Sequence, residues 1–229
     1  MSAAAPPSSR GGAPPAPGPR PRLLVASFNP GKARELAELV APLGCDTVGL
    51  ADLGIAAGYE ENGSTYEENA LGKARHYAAL SGLPTVADDS GIEVDALGGR
   101  PGILSARYGG AGLDDAGRCR LLLHELDGVP EDRRGARYVA VAAIARPDGE
   151  ARTFRGSCEG RIATAPRGSG GFGYDPLFFF PEFGATFAAI EPQRKHRVSH
   201  RGAALRALTR FLAAADGKRF LAPPGRVTR

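Results

Sequence analysis

Leu83-Pro84-Thr85-Val86-Ala87-Asp88-Asp89-Ser90-Gly91 is the stretch that decides how this chain is read. A short apolar run bounded by Gly82 and Pro84 predicts a buried strand. Two adjacent carboxylates, a hydroxyl and a glycine follow at once, which puts the acids at the strand's end. In open α/β sheets, ligands sit in the crevice beyond the carboxyl ends of the strands. Two acids there suit a hard cation such as Mg²⁺, which takes one or two carboxylates together with substrate phosphates. Asp, Ser and Gly are also ordinary turn formers, so the neighbouring stretches must discriminate.

Upstream, residues 22–27 read as a first strand, followed by Phe28-Asn29-Pro30-Gly31-Lys32 and a helix with Leu36, Leu39, Val40 and Leu43 at helical spacing. Asn29 is the expected N-cap with Pro30 at the first helical position. Residues 45–53 suggest a second strand, then a loop containing Glu60-Glu61. Thr65-Tyr66-Glu67-Glu68 has the capping-box pattern and opens a helix to about Ser81. Downstream, residues 92–96 alternate as a separate strand. Asp114 or Asp115 caps a helix, and Pro147-Asp148-Gly149-Glu150 turns a hairpin. The last helix starts near Ser199. Helices alternate with strands in the first half and strands dominate the second, which predicts an α/β protein with a mixed β-sheet and flanking helices.

Residues 1–21 hold seven prolines among Gly, Ala and Ser without periodicity, and are expected to be a disordered extension. The folded domain is expected over 22–215, with a basic, flexible tail over 216–229. The net charge of +4 invites a nucleic-acid partner, but residues 1–22 and 216–229 each carry +3, which leaves the body between them at −2. Nucleic-acid binding needs a basic face on the folded domain, so no nucleic-acid partner is expected. No apolar run is long enough to span a membrane, and no signal-peptide pattern is seen. Three scattered cysteines without a CxxC motif fit a reducing compartment, and the expected location is the cytoplasm. Only four of the 29 basic residues are lysines: Lys32, Lys73, Lys195 and Lys218. A chain with so strong an arginine preference is expected to keep lysine where a compact ammonium is needed.

Ser27-Phe28-Asn29-Pro30-Gly31-Lys32 lies at a strand-to-helix junction. Free N–H groups, the helix dipole and the lysine there make an anion site, although this is not a Walker A loop. Lys73 lies on the helix beside the acidic strand. In Gly168-Ser169-Gly170-Gly171-Phe172-Gly173-Tyr174-Asp175, the glycines permit close backbone approach and the aromatics offer faces to a flat ring. Lys195 and Ser199-His200-Arg201 flank the start of the last helix. Taken singly, each has a bland alternative as a cap, a linker or a solvated cation. Together they describe three phosphate sites, a metal site and a base pocket: a nucleoside triphosphate and its metal.

These motifs, in this order, resemble the inosine triphosphate pyrophosphatases, also called XTP/dITP diphosphatases. The resemblance runs from about Leu23 to Ala214. It also includes Glu35, Glu67-Glu68-Asn69-Ala70, Leu97-Gly98-Gly99-Arg100-Pro101-Gly102 and Ser105-Ala106-Arg107-Tyr108. It implies an elongated two-lobed α/β fold with a central cleft, a homodimer, and Mg²⁺-dependent hydrolysis. Non-standard purine nucleoside triphosphates (ITP, dITP, XTP) would yield the monophosphate and pyrophosphate.

By the same resemblance, Asp89 is general base and metal ligand. Glu60, ahead of its neighbour Glu61, is the second acidic partner. Ser90 contacts substrate, Ser27, Phe28, Asn29, Pro30, Gly31, Lys32 and Lys73 hold phosphates, and Phe172, Gly173, Tyr174, Asp175, Lys195, His200 and Arg201 form the base pocket. Donors from His200 or Arg201 suit a 6-oxo purine and oppose adenine's 6-amino group. Guanine shares the 6-oxo group, and nothing in the sequence accounts for its rejection. The competing readings are a non-catalytic nucleotide sensor and a pyrimidine-triphosphate pyrophosphatase of similar fold.

Overall fold

The computed structural model describes residues 20–110 and 112–222. The expected disordered extension therefore lies, apart from its last two residues, outside the described residues. In chain order the elements are β1 (Arg22–Val25), α1 (Pro30–Val40), β2 (Asp46–Gly49), α2 (Tyr66–Ser81) and β3 (Thr85–Val94). They continue with α3 (Asp115–Glu125), β4 (Gly135–Ala145), β5 (Ala151–Ile162), β6 (Phe178–Phe180) and β7 (Ala185–Thr186). Three helices close the order: α4 (Pro192–Val198), α5 (His200–Ala213) and α6 (Ala215–Leu221). Short 3₁₀ turns fill several connections.

The strands form one seven-stranded sheet in the order β2-β1-β3-β4-β5-β6-β7. β1 runs parallel to both β2 and β3, and every later pairing is antiparallel. The expected mixed sheet is thus present. Alternation along the strands gives the sheet two apolar faces. On one face Val86, Ala140, Ala142 and Ile144 pack with Leu36 and Val40 of α1 and Leu205, Leu208 and Leu212 of α5. On the other, Ala87, Val139, Val141 and Ala143 meet Tyr66, Ala70, Ala74 and Ala78 of α2. The small alanines let α2 lie close to the sheet. A third core gathers Ile92, Leu122, Leu126, Phe178 and Phe187 into a second lobe around α3 and the short strands.

Two expectations are corrected. The carboxylates do not end a strand: β3 runs on to Val94, paired with β4 along its whole length, and residues 92–96 are not a separate element. What ends is the neighbour, because β1 pairs with β3 only at Leu24↔Thr85 and Val25↔Val86. Between Val86 and the bridge of Glu93 to Pro101, no strand pairs on the β1 side of β3, and this is the crevice. Side chains cap the exposed backbone there: Ser90 N donates to Asp89 Oδ1, Ile92 N to Ser105 Oγ, and Lys73 Nζ to the Asp88 carbonyl.

The expected flexible tail over 216–229 is corrected where it is described, and residues 223–229 lie outside the described residues. Residues up to Leu221 form α6, and Phe220 is fully buried against α5 and the sheet. The seven-residue helix is too short to show amphipathic periodicity in the sequence. Among the described residues no helix is long and apolar enough to cross a membrane.

Candidate active site

Because successive strand residues face opposite ways, the adjacent acids of β3 enter different surroundings. Asp88 follows Val86 onto the α1/α5 face. There its Oδ2 accepts from Arg201 Nε at 2.9 Å and lies 3.8 Å from Lys32 Nζ. Burial alone raises its pKa, but Lys32 and Arg201 outweigh that and hold it well below the ordinary Asp value. Asp89 follows Ala87 onto the α2 face. Asn69 Nδ2 donates to its Oδ2 at 2.9 Å, and its own Ser90 N donates to Oδ1 at 2.8 Å. Burial, reinforced by the Glu61 charge, raises the Asp89 pKa. One carboxylate is a fixed counter-ion and the other a held, more basic oxygen pair.

The second acid facing Asp89 is Glu61, which shares its part of the cleft and pairs with Lys73 Nζ. Glu60 is exposed and lines neither part of the cleft, so its expected role as acidic partner is corrected. Neighbours in a loop carry no periodicity that tells which one turns inward. Lys73 also donates to the Asp88 carbonyl at 2.9 Å. Burial lowers its pKa, and Glu61 and Asp88 more than reverse this. Lys32 is also buried, and there desolvation prevails over the pull of Asp88, so its pKa falls.

α1 begins as read from the sequence, with Asn29 Oδ1 accepting from Lys32 N at 3.1 Å and Pro30 at the first position. Ser27 Oγ accepts from Asn29 N at 3.3 Å, and Phe28 is exposed over this part of the cleft. Gly31 does not line it. Instead it provides a close approach: a Cβ there would lie 2.8 Å from the Phe172 ring.

The glycine loop brings the rest of the site together. Asp175 is buried and accepts from Lys195 Nζ at 2.7 Å, Phe172 N at 3.0 Å and Tyr138 Oη at 3.3 Å. Tyr174 Oη donates to the Ser105 carbonyl. Lys195 also meets Glu35 Oε1 at 3.1 Å, and Arg201 donates to Glu35 Oε2 and, at 2.9 Å, to Ser90 Oγ. Burial raises the Glu35 pKa, but Arg201 and Lys195 bring it below its ordinary value. The Phe172 ring lies 5.1 Å from the Lys195 ammonium and 5.4 Å from the Arg201 guanidinium. His200 stacks on Tyr138, with centroids 4.5 Å apart and planes 8° apart.

The cleft has two halves. One is lined by Ser27, Phe28, Lys73, Glu61 and Asp89, the other by Phe172–Asp175, Lys195, His200 and Arg201. Asn29, Lys32, Ser90 and Ala106 border both, so the two halves adjoin. Sequence reasoning missed Glu35 as a site residue, although it lies one helical turn after Lys32. It also missed Asp88 as the partner of Arg201, and Asp115 and Arg118, which reach the second half from α3. Only the tertiary fold brings α3 there.

A mixed α/β sheet whose open crevice joins a lysine-carboxylate half to an aromatic half is built for phosphate and for a flat ring, the architecture of a nucleotide-handling protein. The chain belongs to the Ham1 family, whose model matches residues 23–211. It is 53% identical over 187 residues to a dITP/XTP pyrophosphatase of Thermus thermophilus, covering 82% of this chain and 89% of that protein. It is 48% identical to the dITP/XTP pyrophosphatase of Yersinia pseudotuberculosis, covering 81% and 94%. Among solved structures, a HAM1 protein from Coxiella burnetii superposes with a TM-score of 0.76 at 39% identity, covering 84% of this chain and 98% of that one.

Proposed function

We propose that this protein hydrolyses non-standard purine nucleoside triphosphates, ITP, dITP and XTP, to the monophosphate and pyrophosphate. The observation that carries this is the adjoining of the two halves, in which the basic carboxylate of Asp89 lies in the phosphate half, one residue from the Ser90 that borders both. The names of the relatives supply the substrate class.

Asp89, held by Asn69 and the Ser90 amide, takes the proton from the water attacking the α-phosphorus. Its raised pKa makes it a stronger base than an ordinary aspartate. Lys32 and Lys73 place positive charge along the phosphates. Phe172, Tyr174 and His200 shape the slot for the base. Arg201 commits Nε, Nη1 and Nη2 to Asp88, Glu35 and Ser90, so it fixes the pocket's walls as much as it faces the ring.

The donors also fit Mg²⁺. Among the described residues no cluster of three or more His, Cys, Asp or Glu can cage a metal. Asp89 and Glu61 share one part of the cleft, the pair of carboxylates that Mg²⁺ uses when phosphates supply its other ligands. Bound there, the ion would neutralise phosphate charge and improve pyrophosphate as a leaving group. On the family resemblance alone we further propose a homodimer and a cytoplasmic location. Sedimentation and cell fractionation test these.

The decisive experiment is a panel of ITP, dITP, XTP, GTP, ATP and pyrimidine triphosphates assayed with Mg²⁺ and with EDTA. We expect pyrophosphate from the first three, none with EDTA, and little from the others. Orthophosphate as product, or tight binding without turnover, would overturn the reading.

A further inference from the structure

The base half of the cleft contains one cation that the reading above leaves without a task. Asp114 caps α3 by accepting from Gly117 N at 2.7 Å, which sets Asp115 and Arg118 on the helix's first turn. Arg118 donates through Nη1 to the Leu113 carbonyl at 2.6 Å and through Nη2 to Asp115 Oδ1 at 2.9 Å. The second Asp115 oxygen accepts from Gly173 N at 2.7 Å, so the pair ties α3 to the glycine loop. The Arg118 side chain is only 17% exposed. It is clamped at the cavity wall, with Nε and one N–H on each terminal nitrogen not committed to protein among the described residues. Lys195, His200 and Arg201 reach the same cavity from α4 and α5, so two separate cationic elements converge on one slot.

We propose that Arg118 reads the 2-position of the purine, an inference that rests on the functional reading above. On a purine the 2- and 6-substituents flank N1 along one ring edge. With the 6-oxo group met from the α4/α5 side, the neighbouring 2-substituent is left for the α3 side. A guanidinium only donates. It therefore favours the 2-oxo group of xanthine, tolerates the hydrogen of hypoxanthine, and opposes the 2-amino group of guanine, where two donors would face each other unpaired. This supplies the rejection of guanine that the 6-oxo contacts cannot.

The test compares wild type with Arg118→Ala and Arg118→Gln on XTP, ITP and GTP, alongside calorimetric binding of XMP, IMP and GMP. Arg118→Ala should lower the XTP:ITP ratio of kcat/KM by about ten-fold or more, the value of one charge-assisted hydrogen bond. Arg118→Gln is shorter but keeps a polar end that can accept from an amine, so the GTP:ITP ratio should rise. The glutamine variant also serves if the alanine variant folds poorly. A merely structural role would depress all three substrates alike, and ratios within two-fold of wild type in both assays would overturn the inference. Failure of the wild type to hydrolyse ITP would instead refute the functional reading, and the monophosphate affinities would still decide Arg118.

Discussion

Asp88 and Asp89 are bonded neighbours whose carboxylates never share an environment: one closes on Arg201 and the other on Asn69. The alternation of a strand divides a charge-balancing acid from a reacting one. Asp89→Asn should therefore keep the fold and lose roughly 10²–10⁴-fold in kcat, since an amide accepts no proton. Asp88→Asn should instead lower stability by about 3 kcal/mol, because it strips a partner from a buried guanidinium that still has Glu35. Denaturant melts and ITP turnover on both variants check this. Equal melts and equal losses of turnover would mean that the two acids do one job.

How much of this was legible in the sequence follows from the same strand. The motif positions were readable because caps and loops are local: Asn29, Thr65, Asp114 and Ser199 all cap the helices they precede. The run Asp88-Asp89-Ser90-Gly91 looked like a turn because its composition is that of a turn. Only the pairing with residues 139–142 of β4, some fifty residues downstream, keeps it extended. The same limit hid Arg118, whose partners Leu113 and Asp115 are local but whose cavity is not. Glu61 was told from Glu60 only by Lys73 on another element.

His200 gives a pH signature. Burial, then the charges of Arg201 and Lys195, hold its pKa well below 6.5, and its Nδ1 has no partner among the described residues. A histidine depressed in the folded state binds its proton more readily when unfolded. Its neutral form thus costs nothing above pH 6.5, and stability is lost as pH falls below that value. The slope is about 1.4 kcal/mol per pH unit. His200→Phe retains a ring to stack on Tyr138 and cannot titrate, so its urea midpoint should fall less between pH 7 and pH 5.5. Parallel pH dependence in the two proteins would show that His200 is not buried neutral.

α6 should prove part of the domain. Phe220 packs edge-on against Phe211 at 5.3 Å, and Arg152 and Arg219 lie 6.0 and 5.9 Å from its ring centre. Arg219 Nη2 also donates to Glu150 at 2.6 Å, on the turn between β4 and β5. Phe220→Ala should cost about 3–5 kcal/mol, read by guanidinium unfolding. A loss under about 1 kcal/mol would return the segment to the status of a tail.

The four lysines make the last case. Lys73 threads a buried space between Glu61 and the Asp88 carbonyl, and Lys32 stands where the two halves of the cleft meet. A guanidinium is larger and planar and prefers bidentate geometry, and phosphate oxygens that shift during cleavage are better followed by a point charge. Lys32→Arg and Lys73→Arg should therefore lower kcat/KM for ITP, by up to about 10²-fold where the misplacement approaches 1 Å. Lys218 is exposed on α6, and its arginine variant should match wild type. Lys195 is different again: buried between Asp175 and Glu35 behind the Phe172 ring, it shapes the base half rather than the phosphate half. Its replacement by arginine should change the ratio of ITP to GTP turnover more than it changes turnover overall. Four variants and two substrates decide the matter, and a uniform wild-type profile across all four would mean that the lysines were kept for no reason connected with phosphate or base.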